Sequence, residues 1–370
     1  MEVTPVGGPQ DLAAFIQLPF EIYRGNPHWV APLNSDEKVR LTPGKNPFFE
    51  HGEAALFLAR ENGRVVGRIA ASVDRNHDRV HGERQGAFGF FEARSGDVAS
   101  ALLGAAEGWV KGKGATVARG PLSFTTNDEC GLLIDGFDRS QPLLMPYNGP
   151  DYRGWIEAAG YRKAKDLYSF TMPAPYSLSA TFKRVADMAR RRAGVVTRPL
   201  DMRQFSKELA LVKEIYNSAW EKNWGFVPMT DAEIDHMAKQ LKPAVIPDFV
   251  RFAEVDGKAV AFLLYVPDVN LALKPARGRL FPFGLFHLLF GLPRIREGRL
   301  MALGVVPEYR RTGLAPTLVS DLGVALDRRG YTMSSIGWTL EDNDVVNKLI
   351  VDCGAKRSVT HRMYEKPLGA

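Results

Sequence analysis

The chain lacks most of the devices on which familiar cofactor and metal chemistries depend. Its 370 residues hold two cysteines, Cys130 and Cys353, too few for a disulfide framework and not placed as a Cys-x-x-Cys pair. There is no Gly-x-Gly-x-x-Gly fingerprint, no Walker loop, no Gly-x-Ser-x-Gly elbow and no His-Glu-x-x-His. Dinucleotide, P-loop, serine-hydrolase and zinc-hydrolase chemistry therefore find no support, and His287 has no second histidine at metal-ligand spacing. Long apolar runs are absent too. The longest apolar stretch, Leu280 to Leu292, is too short to span a bilayer and is interrupted by Pro282 and Gly284. The first residues carry no basic-then-apolar leader pattern, so a cytoplasmic enzyme is expected.

What is present describes a soluble globular protein, with 45% hydrophobic and 24% charged residues. The length exceeds one ordinary core and predicts two domains. A net charge of +6 favours an acidic ligand, with a polyanionic cofactor as one candidate, and requires neither DNA nor tRNA. The clustered cations Lys183, Arg184, Arg190, Arg191 and Arg192 read as the solvated face of a helix.

One stretch, Arg299 to Leu318, organises the rest. Leu300 to Val306 suits a strand covered on both faces, and Pro307 stops it. Leu314, Leu318, Leu322 and Leu326 then recur every four residues, as the apolar side of a helix does, with Pro316 in its first turn. The turn between them would point unpaired backbone N–H groups outward at the positive end of the helix dipole. Arg310 and Arg311 add full charge, and Gly313 and Ala315 lack bulk where a ligand must come close. A diphosphate fits such a turn.

The Arg310-x-x-Gly313-x-Ala315 spacing, behind Val305-x-Pro307-x-Tyr309, resembles the acyl-CoA pyrophosphate motif of the GNAT N-acetyltransferase superfamily. Trp338 to Asn347 resembles its second signature, whose asparagines would be Asn343 and Asn347, although Asn343 also suits a helix N-cap. The resemblance implies acetyl-CoA or another acyl-CoA as cofactor. Its diphosphate would lie on Arg310, Arg311, Thr312, Gly313, Leu314 and Ala315, and its pantetheine along the backbone of Gly304, Val305 and Val306. It also implies acyl transfer to the amine of a small molecule or peptide. Acyl transfer needs a base, for which Glu341 and then Glu221 are the candidates, and an acid. In many members that acid is a tyrosine four residues before the closing glycine; here the position holds Ile350, which leaves Tyr364 as the replacement.

The same order of elements occurs twice. Ala54 to Arg60 and Val65 to Ser72 form a hairpin around Asn62-Gly63, followed by strand Gly86 to Glu92, helix Asp97 to Lys111, strand Val117 to Pro121, helix Tyr152 to Ala159 and strand Leu167 to Met172. The second pass runs through strand Val195 to Arg198, helices Met202 to Trp220 and Asp231 to Leu241, a hairpin over Val250 to Val266, the stretch described above, strand Tyr331 to Trp338, helix Asp344 to Cys353 and strand Arg357 to Glu365. The expected fold is thus α/β (α+β): two GNAT-like acyl-CoA N-acyltransferase domains in tandem, each a mixed twisted sheet flanked by helices.

The expected divisions are 1–175, led by a proline-rich segment that is looped apart from one short helix over Leu12 to Phe20; a linker helix at 176–193; and 194–370 with an apolar insertion at 267–298. The first copy carries Glu92 and Asp97, and no glycine turn, where the motif would stand, so it is read as degenerate. Its polar run Asn127, Asp128 and Glu129 reads either as an acceptor-facing loop or as a capped one. No membrane span is expected; the apolar insertion reads first as packed against the first domain and alternatively as lining an apolar pocket or touching lipid, and a monomer or homodimer suits the repeat. The alternatives are an aminoacyl or long-chain acyl transferase and an inactive CoA-binding scaffold.

Overall fold

The computed structural model describes residues 1–176, 178–191, 194–281 and 284–369, so the expectations for Arg192 and Pro282 fall outside the described residues. In chain order the first elements are β1 (Glu2–Pro5), α1 (Pro9–Ile22), α2 (Asn34–Arg40), β2 (Gly52–Glu61), β3 (Arg64–Asp74), α3 (Arg75–His81), β4 (Gln85–Ala93), α4 (Gly96–Gly112), β5 (Val117–Gly120), β6 (Leu132–Asp135), α5 (Tyr152–Ala158) and β7 (Arg162–Pro173). There follow α6 (Ala180–Arg191), β8 (Val195–Pro199), α7 (Phe205–Trp220), α8 (Asp231–Leu241), β9 (Val250–Val255), β10 (Lys258–Pro267), α9 (Asn270–Leu273), α10 (Gly284–Gly291), β11 (Glu297–Val305), α11 (Leu314–Arg328), β12 (Met333–Leu340), α12 (Asp344–Asp352) and β13 (Lys356–Pro367).

These elements divide into two compact units. The first comprises Met1–Leu167, Leu273–Leu285 and Val359–Ala370, and the second Tyr168–Ala272 and Phe286–Ser358. In the first unit β1, β2, β3 and β4 pair antiparallel, and β4 runs parallel to β5. The end of β13 lies antiparallel to β5, with Tyr364 opposite Gly120. Helix α4 shows why the hydrophobic spacing predicted it: Val98, Leu102, Leu103, Ala106 and Val110 are all buried, against Ile69, Phe88 and Ile156.

The proline-rich lead is more ordered than its composition implied. Its first residues pair as β1 with β2, and α1 runs from Pro9, at the first helical position, on through Pro19. The apolar stretch Leu12 to Phe20 lies within α1, where a helix was expected, whereas β1 has no local signature strong enough to read, because it is fixed by partners about fifty residues away.

In the second unit β8, β9, β10 and β11 pair antiparallel and β11 runs parallel to β12, which neighbours β7. Helix α11 buries Leu314, Leu318, Leu322 and Leu326 as expected, on a core that includes Phe249, Leu263 and Tyr265. A separate cluster of Ile215, Phe252 and Phe262, with Trp220 packed on it, seats α7. The helix expected from Met202 begins at Phe205, after a 3-10 turn that the Asp201 carboxylate caps. The strand expected over Tyr331 to Trp338 lies two residues later.

Candidate functional site

Strands β11 and β12 begin as neighbours and then part. Their recorded parallel register runs from Glu297 opposite Met333 to Leu300 opposite Ile336, while β11 continues to Val305 and β12 to Leu340. At the point of parting, β11 also slips against β10: Leu264 faces Ala302 and Tyr265 faces Leu300, which leaves Met301 as an extra residue. Such a bulge bends a strand away from its neighbour. The buried Arg299 side chain holds the vertex, donating from Nε (3.0 Å) and Nη2 (2.9 Å) to the Gly337 carbonyl. Gly304 lies beyond the bulge, where an added Cβ would stand 2.7 Å from the Trp220 ring, so only backbone fits there. Val306 N–H is already used by Val260 O at 3.0 Å.

The basic turn follows. Gly313 is the N-cap of α11 with φ +90°, a conformation that costs glycine little and other residues more, and no side chain caps the helix. Helix geometry leaves the N–H groups of Leu314 and Ala315 without intrahelical partners, and Pro316 has none to offer. Thr312 folds the turn, its N–H and hydroxyl both donating to Tyr309 O. Arg310 and Arg311 are exposed. Arg310 Nη2 donates to Ala219 O (2.7 Å) at the last turn of α7, which tethers the guanidinium beside the turn. These amide donors, with no capping side chain and flanked by two exposed cations, fit a diphosphate.

Helix α6, expected as a linker, packs on α11. Phe182, Ala186 and Ala189 are buried, and Thr317 Oγ1 bonds both Gly313 O and Ala186 O. Its Lys183, Arg184 and Arg191 are exposed, as a solvated face would be, and Arg190 pairs with Asp187 and Asp321.

The second signature closes the other side of this unit's wedge. Asn343 Oδ1 accepts from Val346 N–H and caps α12, while Asn347 accepts from the Thr339 hydroxyl and donates to Leu340 O at 2.9 Å. Both asparagines thereby shape the turn that carries Glu341, which is half-buried at the end of β12. Glu221 is exposed just after α7, next to the Trp220 that backs Gly304. Ile350 is buried in α12. Tyr364 belongs to the first unit: it is fully buried and its hydroxyl donates to Glu157 at 3.0 Å. Burial, and then the Glu157 carboxylate, push its pKa up to about 12.

The corresponding place in the first unit is filled by the chain itself. Strands β4 and β5 pair from Gln85 opposite Val117 to Ala87 opposite Arg119, and then Leu122 N–H donates to Phe88 O at 2.7 Å. Leu122 O lies 1.7 Å from where a Cβ on Gly89 would be. The N-terminus of α4 is capped by the Ser95 hydroxyl, and the Trp155 ring lies 3.2 Å from a Cβ position on Gly96. Glu92 is buried and accepts from the Tyr23 (2.7 Å) and Tyr152 (2.6 Å) hydroxyls; burial raises its pKa, and Arg68 opposes that rise. In the polar loop, Asp128 and Glu129 both engage Arg40. Arg299, Met301, Trp220 and Leu122 escaped the sequence reading. Only Arg299, a cation leading an apolar strand, gave a signal that could have marked it.

Among the described residues there is no group of three metal-ligating side chains, and no helix is long and apolar enough to cross a membrane. The repeated strand order, with its parting parallel strands, defines a tandem pair of GNAT-like acyltransferase folds. A tandem GNAT protein from the clavulanic acid biosynthesis pathway has the same fold, with a TM-score of 0.58 and 13% identity, over 100% of this chain and 99% of that one.

Two proteins are similar in sequence as well. Protein YghO of Escherichia coli (strain K12) is 36% identical over 366 residues, 97% of this chain and 93% of its own length. Bacterial ceramide synthase of Caulobacter vibrioides (strain NA1000 / CB15N) is 36% identical over 386 residues, 100% of this chain and 98% of its own. The chain belongs to the family that contains these two proteins. No protein-family model matches it.

Proposed function

We propose that the chain is an acyl-CoA-dependent N-acyltransferase that transfers a fatty acyl group to a long-chain amine, forming an amide. The observation that carries this is the uncapped N-terminus of α11, with Gly313 at φ +90°, beside the edge of β11 that β12 leaves after Leu300. The fatty character of both substrates rests on one relative's name, since a ceramide is the N-acyl amide of a sphingoid base. Acetyl-CoA with a small polar amine is the less favoured version.

In this mechanism the amides of Leu314 and Ala315, with Arg310 and Arg311, would hold the diphosphate, and the edge of Ala302 to Val305 that faces away from β10 would align the pantetheine as an added strand is aligned. Glu341 takes a proton from the acceptor ammonium, directly or through water, so that a neutral nitrogen attacks the thioester carbonyl. The C–N bond forms and the C–S bond breaks; the adduct nitrogen gives up its second proton to water and the thiolate takes one from water, because Ile350 occupies the position of the family's acid. Tyr364, held by Glu157, is assigned a structural part.

The test is product analysis. Full-length protein incubated with palmitoyl-CoA and sphinganine is expected to yield the amide by mass spectrometry, faster than with acetyl-CoA or with a polar amine panel. Absence of amide from every donor and acceptor pair would overturn the proposal, and preference for acetyl-CoA would overturn its fatty-acyl part.

A further inference from the structure

Helix α10 is built the opposite way from an ordinary surface helix. It keeps its smallest residues inside: a Cβ on Gly284 would stand 2.0 Å from Arg279 O, and one on Gly291 would stand 2.8 Å from Ala272 Cβ. Its large apolar residues face out. Phe286 and Leu289 are each 56% exposed and Phe290 63%, while Phe281 just before the helix is 76% exposed. The Phe286 and Phe290 rings stack in parallel, 6.4 Å between centroids and 8° between planes, so they form one flat apolar face one turn long. Glycines at both ends let the backbone approach Arg279 and Ala272 more closely than any side chain would allow. Exposure of several large apolar side chains on one short helix is unfavourable in water unless something else covers them.

The charge pattern identifies the cover. From Val269 to Arg296 the sequence contains Lys274, Arg277, Arg279, Arg294 and Arg296 and no aspartate or glutamate. All four of these arginines are exposed. Aromatic and leucine side chains flanked by arginines, without acids, match an anionic bilayer surface, where the rings enter the acyl boundary and the guanidinium groups meet headgroup phosphates. A protein partner would equally accept acidic side chains of this chain opposite its own bases, and this segment offers none.

We propose that α10 docks the enzyme reversibly onto anionic lipid, lying in the plane of the interface with Phe286, Leu289 and Phe290 inserted. The length is far short of a span, so the contact is peripheral. The inference is independent of the CoA site and adds to the proposed function a place where a water-insoluble amine and its product could enter and leave.

The experiment is flotation of the full chain, without CoA, on vesicles of phosphatidylglycerol and phosphatidylethanolamine and on vesicles of phosphatidylcholine. The wild type is expected to float with the anionic vesicles, less as salt is raised, and the triple variant Phe286→Ser/Leu289→Ser/Phe290→Ser to partition at least 10-fold more weakly. Arg294→Glu/Arg296→Glu is expected to remove the preference for anionic lipid. Phe286→Cys carrying an environment-sensitive dye gives a readout that does not depend on the triple variant folding, because Cys130 and Cys353 are buried. Its emission is expected to shift blue on adding anionic vesicles.

No flotation, equal flotation of a folded triple variant, or no emission shift would overturn the proposal. So would a concentration-dependent dimer, lost in the triple variant, in place of vesicle binding. A chain that floats but makes no amide would refute the proposed activity alone; a chain that makes amide from detergent-dispersed substrates but never floats would refute the docking alone.

Discussion

Gly313 carries two demands that only glycine meets together. Its φ of +90° is strained for any other residue, and an added Cβ would lie 2.9 Å from Ala189 Cβ. Gly313→Ala is expected to cost about 1–2 kcal/mol in urea unfolding and to weaken CoA binding by calorimetry. Arg310 is exposed and donates to the Ala219 carbonyl, so Arg310→Ala should leave stability within about 0.5 kcal/mol while raising the CoA dissociation constant roughly 10-fold or more, the worth of a charged hydrogen bond to phosphate. Unchanged affinity would remove Arg310 from the site.

A third residue predicts pH behaviour. His77 is buried, its Nδ1 has no hydrogen-bond partner among the described residues and stands 3.9 Å from the Asp78 carboxylate, and the His81 ring lies 4.5 Å away. Burial, then His81, lower its pKa from 6.5 to about 4. The unfolded chain therefore binds more protons between these values, and stability falls as pH drops from 6.5 to 4, by up to about 3 kcal/mol for this group. His77→Leu should flatten that acid limb in denaturation measured at successive pH values.

Two helices and two pairs of strands show how one architecture gives one open site. In the second unit, β11 bulges at Met301, leaves β12 after Leu300 and is followed by an uncapped helix. In the first, the matching strand edge is taken by Leu122 and the matching helix end by Ser95. Gly89→Ala would place a methyl on Leu122 O and is expected to destabilise the protein by about 2 kcal/mol or more, while CoA affinity stays unchanged. A loss of CoA binding in that variant, with the second unit still folded, would contradict the separation of the two roles.

For the molecule as a whole, one CoA should bind per chain, and calorimetry returning two would refute the closed state of the first copy. Bound CoA should also raise the melting temperature, since at about 100 times the dissociation constant a single site contributes about 2.7 kcal/mol. The sequence by itself determined the parts whose information is local. The apolar period of α11, the apolar run of β11, the glycine between two arginines and a proline, and the repeated order of elements are all read over a few residues, and the structure places each of these elements within a few residues of where it was read.

What only the tertiary structure decided depends on residues distant in sequence: that Leu122 closes one wedge, that Arg299 pins the other, that Tyr364 lies with Glu157, and that α6 packs on α11. A helix such as α10 shows the same division from the other side. Its apolar composition reads as buried, and only packing of Gly284 and Gly291 against their neighbours decides that the phenylalanines face out, because burial is a property of the contacts around a side chain and not of the side chain alone.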